Sequence, residues 1–272
     1  MIKKLDHVAV VVRRLDAGAD TLERALGLRA TQRETRATQA VKLAMLSLRN
    51  TRLELLEPLD PQGPLGRFLE AHGEGLYHIC VEVDSVDDTL QSIVQRGVAL
   101  TDRAGRQTPV GKIVFLPPQA ARGVTVELIE KRADPAPADQ TLPSLHTVVV
   151  AISNLEEATR AFSRVLGTEP SYVEGDPRSG LRIARFPIGD TNLELAQPTN
   201  PSHPMTRFLA KRGEGLYLLI VDVKDFSAQV KELRKKGMSV TETDMTTDVP
   251  RRWAFLHPKS ACGVMVGFFR KD

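Results

Sequence analysis

Cysteine is nearly absent from this chain, and its two instances, Cys80 and Cys262, exclude a disulfide framework because they fall in different halves at unmatched positions. Long apolar runs are missing too. No stretch approaches a signal core or a membrane span, and Met1-Ile2-Lys3-Lys4 leads straight into a strand pattern, so a cytoplasmic protein with no membrane partner is expected. Charge of one sign is also scarce. The net charge of +3 is nowhere gathered into a basic stripe with interleaved aromatics, which argues against a nucleic-acid partner. The 42% apolar and 26% charged residues are those of an ordinary globular protein. At 272 residues the chain suits two domains, each long enough to bury a core.

What the chain does have is a long internal repeat. Arg67-Phe68-Leu69 and Gly73-Glu74-Gly75-Leu76-Tyr77 return 140 residues later as Arg207-Phe208-Leu209 and Gly213-Glu214-Gly215-Leu216-Tyr217. At the same spacing Thr51-Arg52-Leu53-Glu54-Leu55 becomes Thr191-Asn192-Leu193-Glu194-Leu195, and Phe115-Leu116 becomes Phe255-Leu256. A period this long marks a duplicated domain rather than a solenoid unit. The expected organisation is a first domain over 1–131, a Pro/Ala-rich linker over 132–144 and a second domain over 145–272. Within this frame strands are expected at Leu5–Val12, Val41–Ser47, Arg52–Leu56, Lys112–Leu116 and Val124–Ile129. Helices are expected at Ala17–Leu26 behind an Asp16 cap, Pro64–Ala71, Ser85–Arg96 in capping-box style, Leu155–Leu166 and Phe226–Lys236.

A finer repeat lies inside the first copy. Leu5-Asp6-His7-Val8-Ala9-Val10 reads like Leu76-Tyr77-His78-Ile79-Cys80-Val81, and Thr51-Arg52-Leu53-Glu54-Leu55 reads like Val124-Thr125-Val126-Glu127-Leu128. Each unit therefore carries a His early on its first strand and a Glu on its last. His7, Glu54, His78 and Glu127 form a mixed nitrogen and oxygen set suited to one divalent first-row ion, cobalt, nickel, manganese, zinc or iron. Four protein ligands in a six-coordinate site leave about two positions for water or substrate. Both glutamates sit in apolar strands, where an inward carboxylate is costly without a counter-charge; alternation alone permits either face.

The second copy acts as a control. Glu194 matches Glu54, and His146 matches His7 with a slip of one residue. Leu218 stands where His78 was, and Gly267 where Glu127 was. A degenerate second site is expected, so folding does not by itself demand His78 and Glu127. His72, His203 and His257 are expected to face solvent, and Trp253 to anchor packing.

At these residues the chain resembles the vicinal oxygen chelate superfamily, which includes glyoxalases, bleomycin-resistance proteins and ring-cleaving dioxygenases. The carrying stretches are Leu5–Val12, Asn50–Pro58, Gly73–Asp84 and Gly123–Glu130, and the methylmalonyl-CoA epimerase branch is the nearest in wording. The resemblance implies an α+β fold of four βαβββ modules, in two tandem domains with curved mixed sheets around a central cleft. It places the family's metal ligands on His7, Glu54, His78 and Glu127. It implies an enolate-forming epimerase acting on a small-molecule substrate such as a malonyl-type acyl-CoA, with Glu127 and Glu54 as the proton carriers. Gln39, at a loop–strand junction, either orients the substrate or is simply a solvated side chain. The chain departs from the branch in two places. Phe115-Leu116-Pro117-Pro118-Gln119 lacks the Lys that Phe255-Leu256-His257-Pro258-Lys259 keeps, and Leu43 stands where some epimerases carry a further carboxylate. A glyoxalase acting on a glutathione hemithioacetal, an extradiol-type dioxygenase and a non-enzymatic ligand-binding protein are the alternatives. The fused copies are expected to form a monomer resembling a dimer, or a homodimer.

Overall fold

The computed structural model describes residues 1–132, 139–176, 179–246 and 250–269; most of the expected linker, 133–138, lies outside them. The first copy runs β1 (Ile2–Val11), α1 (Leu15–Leu26), β2 (Ala30–Arg36), β3 (Val41–Ser47), β4 (Arg52–Pro58), α2 (Pro64–His72), β5 (Gly75–Val83), α3 (Val86–Gln95), β6 (Arg106–Thr108), β7 (Gly111–Leu116) and β8 (Thr125–Lys131). The second repeats that order as β9 (Ser144–Ala151), α4 (Leu155–Leu166), β10 (Tyr172–Asp176), β11 (Leu181–Ile188), β12 (Thr191–Pro198), α5 (Pro204–Arg212), β13 (Gly215–Asp222), α6 (Phe226–Lys235), β14 (Val240–Thr246), β15 (Pro250–Leu256) and β16 (Met265–Phe269).

Among the described residues each copy forms one eight-stranded mixed sheet, ordered β2-β3-β4-β1-β5-β8-β7-β6 and β10-β11-β12-β9-β13-β16-β15-β14. Parallel pairs β1/β4, β5/β8, β9/β12 and β13/β16 close four modules. The strands at the ends of these orders, β2, β6, β10 and β14, are the ones that sequence alternation did not reveal. Ala30-Thr31-Gln32-Arg33-Glu34-Thr35-Arg36 is polar along nearly its whole length and mostly exposed. An edge strand gains little from an apolar face, and charge on it blocks further pairing.

The glutamates that end these strands have two separate jobs. In Leu53-Glu54-Leu55-Leu56-Glu57, the two carboxylates lie an odd number of residues apart and so on opposite faces of the strand. Glu57 Oε2 accepts from the Leu15 backbone N–H at 2.7 Å, at the start of α1. The cap expected from Asp16 is thus supplied from β4, while Asp16 itself lies in the helix's first turn and Arg14 occupies the cap position. Burial pushes the Glu57 pKa up, but the Leu15 N–H and Lys42 outweigh it and hold the carboxyl below its ordinary value. Glu130 Oε2 serves the Val86 N–H at 2.9 Å in the same way, and Gln197 Oε1 the Leu155 N–H at 3.1 Å. A side chain at this position satisfies one of the four orphan donors of a helix start.

By density of contacts the chain divides into two units, each built from half of each copy. One comprises the described residues within 1–6, 78–137 and 147–217; the other, those within 7–77, 138–146 and 218–272. The first unit holds Arg96 Nε on the Arg164 carbonyl at 2.5 Å, at the C-terminus of α4. It also holds Glu214, whose Oε1 accepts from the Ser153 N–H at 2.8 Å and from Arg122 at 3.0 Å. The second unit repeats these contacts 140 residues away. Lys236 Nζ reaches the Arg24 carbonyl at 3.0 Å, and Glu74 Oε1 accepts from the Arg13 N–H at 2.8 Å. In each unit a positive-φ glycine lies directly against this glutamate's carbonyl, Gly123 on Glu214 and Gly263 on Glu74, and a β-carbon on either would collide with backbone. The repeated Gly-Glu-Gly-Leu-Tyr motif therefore belongs to the architecture. The second unit also contains a two-way amide clasp: Asn50 Nδ2 donates to the Leu145 carbonyl at 2.8 Å, and the Leu145 N–H to Asn50 Oδ1 at 2.9 Å.

His257 is exposed, as expected, and His203 is half-buried. Each Nδ1 accepts a backbone N–H two residues on, from Met205 at 3.1 Å and Lys259 at 3.2 Å. Trp253 is the packing anchor expected, stacked on Phe255 and Phe269 at centroid distances of 6.1 and 5.3 Å. Lys131, at the edge of the expected linker, belongs to β8.

Two stability predictions follow from the glutamate contacts. Gly263→Ala loses about 2–4 kcal/mol in urea unfolding, combining left-handed backbone strain with a backbone clash. Burial pushes the Glu214 pKa up, but the Ser153 hydroxyl and N–H and Arg122 outweigh it and leave it below 4.5. Its stabilisation is therefore complete above pH 4.5 and disappears as the pH falls through the lower folded value. In Glu214→Gln that segment of the stability-against-pH curve flattens, as denaturant midpoints measured from pH 3 to 7 will report.

Candidate metal centre

The residues around Glu54 and Glu127 are apolar. Ala9, Val11, Val41, Leu43, Met45 and Leu56 form one buried cluster, and Cys80, Ile113 and Ile129 with Phe115 form another. Strand register sets a carboxylate into each. In the second unit His7 lies opposite Arg52, and Ala9 opposite Glu54, in the parallel β1/β4 pair. In the first unit His78 lies opposite Thr125, and Cys80 opposite Glu127, in β5/β8. In both pairs the histidine is one pleat short of the glutamate, which aims both side chains to one face. The choice that sequence alternation left open falls inward for both glutamates.

His7 Nε2 lies 3.3 Å from Glu54 Oε2, and His78 Nε2 lies 3.2 Å from Glu127 Oε2. Exposure is 5% for His7, 6% for Glu54, 3% for His78 and 6% for Glu127, so all four are withdrawn from water. A buried carboxylate without a counter-charge is disfavoured by several kcal/mol, about as much as a broken buried ion pair. A divalent ion satisfies an imidazole and a carboxylate at once. His7, Glu54 and His78 offer ligand atoms within 4.8 Å of one another, and so do Asp6, His7 and Cys80. Glu127 stands outside the first trio and is held beside His78. The second group is the poorer candidate, because the Asp6 carboxylate is already ion-paired with Lys131 Nζ, which also lies 3.4 Å from Glu82. Two imidazoles and two carboxylates, all buried, fit a divalent first-row ion.

The Asp6, Glu82 and Lys131 cluster was not foreseen from the sequence. Its members are 4%, 2% and 9% exposed, the last for the side chain, and Lys3 and Lys4 approach Glu82 at 3.7 Å. Asp6 and Glu82 each lie beside apolar residues in strands, which is the one local sign of it. Gln39, considered near the substrate, lies in a short 3-10 turn before β3.

In the second copy the register corrects one expectation. Thr147 lies opposite Asn192 as His7 lies opposite Arg52, so Thr147, not His146, occupies the place of His7. In a strand, a slip of one residue reverses the face. His146 instead packs edge-on against Phe269, centroids 4.8 Å apart. Glu194 is then the only retained member of the set, and it has found another cation. Arg185 lies opposite Glu194 where Met45 lies opposite Glu54, and its Nε and Nη2 approach Glu194 Oε1 at 2.8 and 2.7 Å. Where Glu127 faces Phe115, Gly267 faces Phe255, whose ring would be 3.2 Å from any added β-carbon. One carboxylate has gained an arginine and the other has been deleted.

This geometry defines a class before it defines a family: paired βαβββ modules which, in the first copy, each aim one imidazole and one carboxylate inward from two central strands. The chain belongs to the glyoxalase/bleomycin resistance protein/dioxygenase superfamily, whose descriptions match residues 6–115 and 144–268. It is 33% identical to mitochondrial methylmalonyl-CoA epimerase of Mus musculus over 127 residues, 46% of this chain and 71% of that protein. It is 31% identical to ethylmalonyl-CoA/methylmalonyl-CoA epimerase of Cereibacter sphaeroides over 129 residues, 45% of this chain and 93% of that one. These relatives thus match about half of the chain. A 4-hydroxymandelate synthase variant from Streptomyces coelicolor matches 100% of this chain and 94% of its own, with a TM-score of 0.78 at 16% identity, a likeness of fold. No helix among the described residues is long and apolar enough to cross a membrane.

If Arg185 supplies the charge that Glu194 needs, Arg185→Met lowers stability by about 1–3 kcal/mol, reduced by the arginine's partial exposure. Arg185→Met/Glu194→Gln recovers most of that loss. Equal destabilisation of both variants in a double-mutant cycle would show that the pair is not coupled.

Proposed function

We propose that the first copy is a metal-dependent epimerase acting on a 2-substituted malonyl thioester, with the chain organised as domains over 1–131 and 145–272 joined through 132–144. The supporting observation is the imidazole–carboxylate pair that recurs, buried and at the same register, in both modules of the first copy. In this reading His7, Glu54, His78 and Glu127 hold one divalent ion, as the trio of ligand atoms within 4.8 Å suggests. The epimerase relatives over half of the chain support the substrate class.

When bound, the ion acts as a Lewis acid toward the thioester carbonyl and lowers the cost of negative charge on its oxygen. The chain's own residues move the proton. Glu127 takes the α-proton with a carboxylate oxygen, and Glu54, which enters the cycle as the protonated acid, gives its own proton to the opposite face of the same carbon, which inverts it and leaves the two groups with their protonation states exchanged. Each carboxylate has an imidazole beside it to steady its orientation. The apolar surroundings, Met45 and Leu56 near Glu54 and Phe115 and Ile129 near Glu127, keep bulk water from quenching the carbanion. The second copy lacks three of the four ligands and serves as scaffold.

Metal analysis of untagged protein, purified without added ions, is expected to find about one divalent ion per chain and none in His78→Leu, which copies Leu218 of the second half. The loaded protein is expected to exchange the α-hydrogen of methylmalonyl-CoA in deuterated water, with Glu127→Gln slower by a factor of about 10²–10⁴. Protein that neither carries nor takes up a divalent ion would sink the proposal. An ion-loaded protein that leaves malonyl thioesters untouched but isomerises the glutathione hemithioacetal of methylglyoxal would turn it toward a glyoxalase.

A further inference from the structure

We infer that Arg106 is the substrate-binding cation of the first copy and receives an oxyanion of the acyl thioester, either its carboxylate or a phosphate of its carrier. The inference rests on the function proposed above and identifies how the anionic substrate is held.

Register places Arg106 on the face that carries the ligands. It lies opposite Ile113 on β7, Ile113 lies opposite Ile129 on β8, and Phe115 lies opposite Glu127. Residues directly opposite in antiparallel strands point to the same side, and Ile113, Phe115, Ile129 and Cys80 form one cluster there. The Arg106 guanidinium sits 5.5 Å above the Phe115 ring, and Phe115 in turn meets the His78 ring edge-on at 5.5 Å. A single aromatic side chain thus separates the guanidinium from a metal-ligand imidazole.

The only other cation on β8's share of this face is Lys131, and it is committed to Asp6 and Glu82. Arg106 is exposed and makes no ion pair among the described residues. Its hold on Phe115 orients the planar fork without satisfying its hydrogen-bond donors. A guanidinium so placed can accept a carboxylate or phosphate in two-point fashion, and its weak hydration makes the exchange of water for anion inexpensive.

The second copy again provides a control. Trp253 stands at the place of Ile113, and opposite it lies Thr243. The copy that lost the ligands has no arginine at this position, as expected if the two features serve one substrate.

The test compares full-length, metal-loaded wild type with Arg106→Gln and Arg106→Lys, using methylmalonyl-CoA and methylmalonyl-pantetheine, which has no phosphate. The expected result for Arg106→Gln is a KM for methylmalonyl-CoA raised roughly tenfold, with kcat within about twofold. Metal content and melting temperature stay unchanged, and the lysine variant recovers most of the affinity. A KM defect that persists with the pantetheine ester assigns the anion to the carboxylate; one that vanishes assigns it to the carrier phosphates. A KM within twofold of wild type, in an active enzyme, overturns the inference and leaves the epimerase reading standing. If wild type turns over neither ester, the epimerase reading fails, and calorimetric titration with coenzyme A and with malonate decides on Arg106. Binding lost in Arg106→Gln supports it; equal binding, or none to wild type, overturns it.

Discussion

The costliest feature of this molecule is the burial of glutamate carboxylates on the inner faces of apolar strands, and much else is arranged to offset it. In the first copy each carboxylate has an imidazole one pleat away on the neighbouring parallel strand, and together they form a donor set that a divalent ion fits. In the second copy, Glu194 is paired with Arg185, which stands where the first copy has Met45 and brings a permanent charge. The remaining position resolved the cost differently, by losing the carboxylate and filling the space with the Phe255 ring. The same fold thus shows three solutions to one electrostatic problem, and only the solution in the first copy leaves an imidazole beside the carboxylate.

A second constraint explains why the two copies are similar where they are. The Gly-Glu-Gly-Leu-Tyr motif repeats so faithfully because each of its parts is geometrically required. The glutamate carboxylate satisfies a backbone N–H near the start of a helix, and its carbonyl is packed by a glycine from the other copy, with no room for a side chain. These contacts occur in both units at a constant spacing of 140 residues, as do the helix C-terminal contacts of Arg96 and Lys236. Reciprocity of this kind is the mark of an isologous surface, in which each partner presents the same residues to the other. The two copies share it although they differ at the ligand positions.

The two glutamates of Leu-Glu-Leu-Leu-Glu-Pro show how much function a sequence can carry without displaying it. Both look alike on paper. Their odd separation puts Glu57 on the helix side and Glu54 on the inner side, and the fold uses one to cap a helix and the other to face an imidazole. The finer repeat identified the inner one because Glu127 shared its context. Nothing comparable pointed to Arg185 or Arg106, whose importance depends on which residues lie across the strand from them. The Lys131 cluster was hidden for the same reason: Asp6, Glu82 and Lys131 are far apart in the chain and each is unremarkable alone.

The sequence by itself determined the duplication, most of the helices and inner strands, and the recurrence of one His and one Glu in each module of the first copy, because these depend on periodicity and on comparison between repeats. It left the outer strands unmarked, since a polar edge strand has no apolar alternation to display. It also misplaced the third module's histidine by one position. Only the tertiary structure could correct that, because in a strand one residue separates the inner face from the outer, and the register that chooses between them is fixed by hydrogen bonds to a neighbour tens of residues away.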